Sequence, residues 1–180
     1  MTVLEAIHSR TSYRGKYQSI PVPRSDLTTI MEAGMAAPSG CNQQTTSFIA
    51  VDNAELLGRL RAVIQPPVAE SAPAIICVLT QRTIAYRDRC FHIQDYSAAI
   101  ENMLLAAVGL GYQSCWYEGH ITDADAIGRK MADILGVPND YELVCILPIG
   151  VASSPLTHVK KKPLAERAWL NGFRGGESGK

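Results

Sequence analysis

In the stretch SRTSYRG, Arg10 and Arg14 flank Ser12 at strict two-residue intervals. Side chains alternate in extended chain, so these three point one way. Two guanidinium forks and a hydroxyl on one side suit a phosphate, because arginine donates in a planar, bidentate geometry. Taken alone, R-x-S-x-R reads first as a basic loop in water. Three further segments carry groups able to hold a ligand. APSGCNQQ has Pro38, Ser39, Asn42 and Gln44; CWYEG has Glu118 and Gly119; VKKKPL has Lys160, Lys161 and Lys162. Each also has an ordinary structural role: a helix stop with a turn, solvated loop amides, a strand-ending turn, a solvated tail.

The bulk properties narrow what these groups can serve. The 180 residues hold 17 Lys and Arg against 17 Asp and Glu, so no global field favours nucleic acid or anionic lipid. With 47% hydrophobic and 19% charged residues, the chain has the composition of one soluble globular domain over 1–180. Runs such as APAIICVL and LVCILPIGVA are too short to span a membrane, and MTVLEAIHSR lacks a signal-peptide pattern. A cytoplasmic location is expected. The five cysteines, Cys41, Cys77, Cys90, Cys115 and Cys145, are odd in number and never form C-x-x-C. That argues against a disulfide framework or a zinc site. Cys77 and Cys145 fall in apolar runs and read as inert core thiols. The four histidines show no metal-ligand spacing, so no metal is expected.

The elements that must position the candidate groups can be read in order. Thr2 and Glu5 have capping-box spacing ahead of a short first helix that ends before the arginine segment. Ser25 is the expected N-cap of a second helix with Leu27, Ile30 and Met31 inward, stopping at Ala37 before Pro38. TSFIAVD reads as a strand after the turn-rich loop. NAELLGRLRAVI is a surface helix with Leu56, Leu57, Leu60 and Ile64 inward. APAIICVLT reads as a strand buried on both faces. A central, buried helix is expected from about Gln94 to Val108, where Ala98, Ala99, Ala106 and Ala107 let neighbouring backbones approach. YQSCWY reads as a strand. Thr122 and Asp125 open another helix, with Ile127, Met131, Ile134 and Leu135 inward and Gly136 and Pro138 closing it. YELVCILPIGVA is the last strand, and a polar tail runs from Ser153 to Lys180. Helices do not alternate one for one with strands, and no G-x-G-x-x-G follows a strand. The expected class is therefore α+β in layers, without a Rossmann sheet.

Together and in this order, the segments closely resemble the FMN-dependent nitroreductase family over nearly the whole chain. The resemblance begins with R-x-S-x-R after a first helix, then P-x-P before a second helix ending in A-P-S. Next come N-x-Q and an early Phe in a strand, here Asn42, Gln44 and Phe48. The helix DYSAAIENMLLAAVGLGYQSCW, then LGVPNDYELVCILPIG and the basic pair of KKPL, complete it. Two departures stand out. Thr45 and Thr46 occupy the places where members often have Pro-Trp, and Lys161 stands where the tail residue is often Arg, keeping the charge without the fork.

What the resemblance implies is specific. The fold would be a three-layer α/β/α arrangement with a mostly antiparallel central sheet flanked by helices and a buried central helix. Arg10, Ser12 and Arg14, with Lys161 or else Lys160 or Lys162, would hold the phosphate and ribityl chain of FMN. Pro38, Ser39, Asn42 and Gln44 would contact the flavin ring and ribityl hydroxyls from the partner subunit. Glu118 and Gly119 would lie beside the redox-active edge of the ring. Cys41, in the loop beside that presumed ring site, reads as a small packing residue or else a redox-reactive thiol. The implied protein is a homodimer with FMN at the interface and the 153–180 tail packed on the partner. It would pass hydride from NADH or NADPH through the flavin to a nitroaromatic, quinone or similar electrophile in a ping-pong cycle. The flavin carries the chemistry, so no catalytic side chain is assigned. The rival readings are other flavin chemistry on the same fold (heterocycle oxidation, dehalogenation, flavin fragmentation), or flavin binding without turnover for storage or redox sensing.

Overall fold

A computed structural model describes residues 1–64, 68–118, 121 and 126–173. Three strands build the sheet: β1 (Thr46–Val51), β2 (Ala74–Thr80) and β5 (Glu142–Ile149). They lie in the order β1-β2-β5, both pairs antiparallel. β2 is central and fully buried along its length, as its unbroken apolar run predicts. Its register pairs Phe48 with Val78 and Cys77 with Ile146, and a bulge follows Val78. A short hairpin, β3 (Ile84–Tyr86) with β4 (Arg89–Cys90), stands apart from this sheet.

Alternation along β2 divides the core. Ile76 and Val78 face one layer with Leu27, Ile30, Ile100, Met103 and Leu147. Those partners come from α2 (Arg24–Met35), α4 (His92–Gly109) and β5. Ile75, Cys77 and Leu79 face the other, with Leu57 and Leu60 of α3 (Ala54–Val63) and Met131 of α5 (Ile127–Ile134). The result is helix on sheet on helix, the expected α/β/α layering. Side chains such as Ile76, Leu60 and Ile146 are wholly out of water, each contributing about 1.5–3 kcal/mol of burial.

The first helix, α1 (Val3–Ser9), carries the complete capping box of Thr2 and Glu5. α3 is capped by the Asn53 side chain accepting from the Leu56 N–H. In α4 the buried face runs through Asp95, Tyr96, Ala99, Ile100, Met103, Leu104 and Ala107, while Ala98 and Ala106 are half-buried. Gly34 of α2 meets that face so closely that an added Cβ would lie 2.9 Å from both Met103 Cγ and Phe48 Cζ.

Three local expectations need correction. α2 is capped by Pro23 and not Ser25, because proline's fixed φ and missing N–H suit a helix start. It ends at Met35, with Ala36 as cap, so it stops short of Ala37. YQSCWY forms no continuous strand. Its backbone is shared among three partners, with Gln113 bridging Gly150, Ser114 bridging Ser12 and Tyr117 bridging Ile146. Thr122 and Asp125 lie outside the described residues, and α5 begins after Ala126, in left-handed conformation.

Candidate functional site

Two regions carry most of the candidate groups, with Glu118 apart from both, and each is built differently. The first is the arginine arm after α1. Arg10 already has extended dihedrals as the helix C-cap. The Tyr13 N–H donates to the Ser114 carbonyl at 2.9 Å, and Ser12 pairs with Ser114 as a parallel bridge. Alternation then sorts the side chains. Thr11 turns to the tail, its hydroxyl donating to the Thr157 carbonyl at 2.7 Å. Tyr13 is buried, and its hydroxyl accepts from the Ser153 N–H. Ser12 and Arg14 are exposed and Arg10 is half-buried, its Nε 3.6 Å from Glu101 Oε1. The side chains thus alternate along the arm: Thr11 and Tyr13 anchor it, while Ser12 and Arg14 are exposed and Arg10 lies half-buried beside Glu101.

The same anchors join the arm to residues 151–157. The Gln18 N–H donates to Val151, and the Ser153 N–H to Lys16. Lys160, Lys161 and Lys162 follow this stretch, exposed, and no hydrogen bond or ion pair holds them among the described residues. The tail is thus tied to the arm at Thr157, while its ammoniums extend outward.

The second region is the loop from Ala36 to Thr46. Pro38 and Ser39 lead into a 3-10 turn at Gly40–Asn42. Cys41, Asn42 and Gln44 all have positive φ, near 50°. Left-handed conformation costs a non-glycine residue about 1–2 kcal/mol, so something must hold the loop. The holder is Asp95, in the first turn of α4 and only 4% exposed. One carboxylate oxygen accepts from the Gly40 N–H and the other from the Thr45 hydroxyl, each at 2.7 Å. A carboxylate this deeply buried needs such partners, and the amino end of α4 adds favourable potential. Ser39 completes the turn, its hydroxyl accepting from the Gln44 N–H at 3.0 Å.

Pro38, Ser39 and Gln44 line an open cleft of about 120 Å³ with Gly34, Thr46 and Ala99. The Thr46 hydroxyl is buried there without a hydrogen-bond partner among the described residues. Asn42 lies in the same loop, exposed. So the structure brings Pro38, Ser39, Asn42 and Gln44 together. It also gives Thr45 a task that a proline could not perform.

Glu118 is fixed by two donors, the Tyr96 hydroxyl at Oε1 and the Trp116 indole N–H at Oε2, both at 2.7 Å. Burial first, and then the Glu118 carboxylate, push the Tyr96 hydroxyl well above its usual range, so it remains a donor. Gly119 lies outside the described residues. Asp95 and Tyr96 were not among the groups singled out in the sequence, and Thr46 stood out there only as a departure from Pro-Trp. The one available signal was an acid in the first turn of an otherwise apolar, buried helix.

Comparison with known proteins decides the family. The profile of the Nitroreductase family matches residues 7–70 and 61–151. The chain belongs to the nitroreductase family. It is 37% identical over 152 residues to a Methanothermobacter thermautotrophicus protein provisionally named NADH dehydrogenase/NAD(P)H nitroreductase, covering 83% of this chain and 77% of the relative. An Archaeoglobus fulgidus protein of the same provisional name is 30% identical over 148 residues, covering 82% and 83%. Among solved structures, a Bacteroides fragilis nitroreductase with bound FMN superposes with a TM-score of 0.76 at 28% identity, covering 95% of this chain and all of that one. An iodotyrosine deiodinase shares the fold alone, at 21% identity and a TM-score of 0.76, covering 96% and 100%.

Proposed function

We propose that this nitroreductase-family chain is an FMN-dependent oxidoreductase moving electrons from NADH or NADPH to a nitroaromatic, quinone or similar small electrophile. The observation that carries the reading is the arm. Its anchored odd residues leave Ser12 and Arg14 exposed beside the half-buried Arg10, a set that suits a phosphate monoester. The fit extends to the second region, where the unpartnered Thr46 hydroxyl lines a cleft with Ser39 and Gln44. Bound FMN supplies the redox chemistry, a two-electron exchange between the nicotinamide and the acceptor.

The chain's own groups hold and orient. Arg10, Ser12 and Arg14, with Lys161 or a neighbouring lysine, grip the phosphate. Pro38, Ser39, Asn42 and Gln44 form the wall against the ring and ribityl chain of the FMN gripped by the other protomer. Glu118, locked by Tyr96 and Trp116, and Gly119 border the reacting edge. The working unit is a homodimer. Supporting this, Val3, Leu4 and Ile7 of α1 and Met35 at the end of α2 are largely exposed, as are Val159, Leu164 and Phe173 in the tail. A second copy would cover apolar surface of this kind, with the tail packed across it.

Anaerobic titration tests the reading. The purified protein is expected to be yellow, to bleach with NADH or NADPH, and to recover colour with a quinone or nitroaromatic. A colourless protein that fails to take up added FMN overturns it. A holoprotein that binds FMN but sediments as a monomer overturns the dimer alone.

A further inference from the structure

The Cys90 and His92 pair belongs to none of the groups assigned above. β4 ends at Cys90, Phe91 caps α4, and His92 is the helix's first residue. Cys90 Sγ lies 2.9 Å from His92 Nδ1, and both side chains are only half-buried, within reach of a small reagent. The imidazole packs edge-on to the Tyr96 ring, centroids 6.4 Å apart, and Tyr96 is itself fixed by its bond to Glu118. A nucleophile within hydrogen-bond reach of a base, with the base oriented by a third group, is the arrangement that activates a thiol. Cys90 stands just ahead of the 18-residue α4. Arg82 is near enough to interact with the thiol, although that guanidinium is paired with Glu142.

The other four cysteines lack this setting. Burial pushes the Cys77 thiol up to about 12 and Cys115 to about 11, and drives Cys145 well above its ordinary value. Cys41 is exposed but has no hydrogen-bond partner among the described residues.

We propose that Cys90 is a site of reversible covalent modification by small-molecule disulfides, with His92 as its base. As Sγ bonds to one sulfur of the incoming disulfide, the thiol proton passes to His92 Nδ1. The incoming S–S bond breaks, and its electron pair leaves on the departing sulfur, which takes the proton back as a thiol. Cys90 is oxidised to a mixed disulfide and the reagent is reduced to one released thiol. Excess small thiol runs the exchange backwards. The adduct forms at the head of the helix that carries Asp95.

The test treats the full-length protein, as purified, with glutathione disulfide at neutral pH and maps adducts by peptide mass spectrometry. The Cys90 adduct is expected to accumulate ahead of any at the more exposed Cys41, and to vanish with dithiothreitol. His92→Gln should slow modification of Cys90 by about tenfold or more, while leaving Cys41 unchanged. Cys41→Ser should leave the Cys90 rate as it was. Labelling of Cys41 alone, labelling of no cysteine, or equal Cys90 rates with and without His92 overturns the proposal. Should His92→Gln also label Cys77 or Cys145, a mark of unfolding, the wild-type order of Cys90 and Cys41 decides alone.

Discussion

The loop from Ala36 to Thr46 and the arginine arm are both polar segments in which ligand-facing groups are held by backbone bonds, yet they are secured in opposite ways. In the loop, a buried carboxylate satisfies a backbone N–H and a hydroxyl, and three left-handed residues are held in place. In the arm, the backbone is bridged to Ser114 and the odd side chains are tied down, while Ser12 and Arg14 stay exposed and Arg10, half-buried, sits beside Glu101. Damage to the loop should therefore register as lost fold stability. Damage to the arm's even residues should register as lost ligand affinity, with stability intact.

The largest effect should come from Asp95→Ala, which strands the Gly40 N–H and the Thr45 hydroxyl. A loss of about 3 kcal/mol in urea denaturation is expected, the scale of two charge-assisted bonds in a buried site. A loss near zero would mean the loop holds itself. Gly40→Ala attacks the same region sterically, since its Cβ would lie 2.5 Å from Phe91 Cδ2. It should cost about 2 kcal/mol, with much of that recovered when Phe91→Leu is added, read from the same melts.

Arg14→Ala tests the other half of the contrast. FMN affinity should fall about tenfold, near 1.4 kcal/mol, with an unchanged urea midpoint. If Arg10→Ala and Arg14→Ala both leave FMN affinity intact, the phosphate does not sit at the arm. Thr46→Val sharpens the comparison with the smallest change. Removing an unpartnered buried hydroxyl should raise the stability of the FMN-free protein by about 1 kcal/mol and weaken FMN binding if the hydroxyl serves the cofactor. Paired denaturation and fluorescence titrations separate the two effects.

How far these regions could be read from the chain differs for the same physical reason. The arm was legible because alternation is a local rule: with Arg10, Ser12 and Arg14 spaced by two, their common side follows once the backbone is extended. The loop's membership was legible from Pro38, Ser39, Asn42 and Gln44, but its anchor was not. Asp95 stands 51 residues beyond Gln44 in sequence, and only the docking of α4 brings it beneath the turn. YQSCWY failed as a strand for a related reason, since its residue types cannot reveal that three different segments divide its backbone bonds.

The amino-acid sequence by itself determined the elements whose signals are short-range. The Thr2–Glu5 capping box, the unbroken apolar run of β2 and the extended arm each follow from residues within a turn or a strand of one another. Only the tertiary structure decided which groups are held and which are left open: Asp95 under the loop, Tyr96 and Trp116 on Glu118, Thr46 without a partner, Cys90 against an oriented imidazole. Hydrogen-bond partners across a packed core are chosen by the geometry of layers, and that geometry is set by the sum of many buried contacts and not by any one stretch of chain.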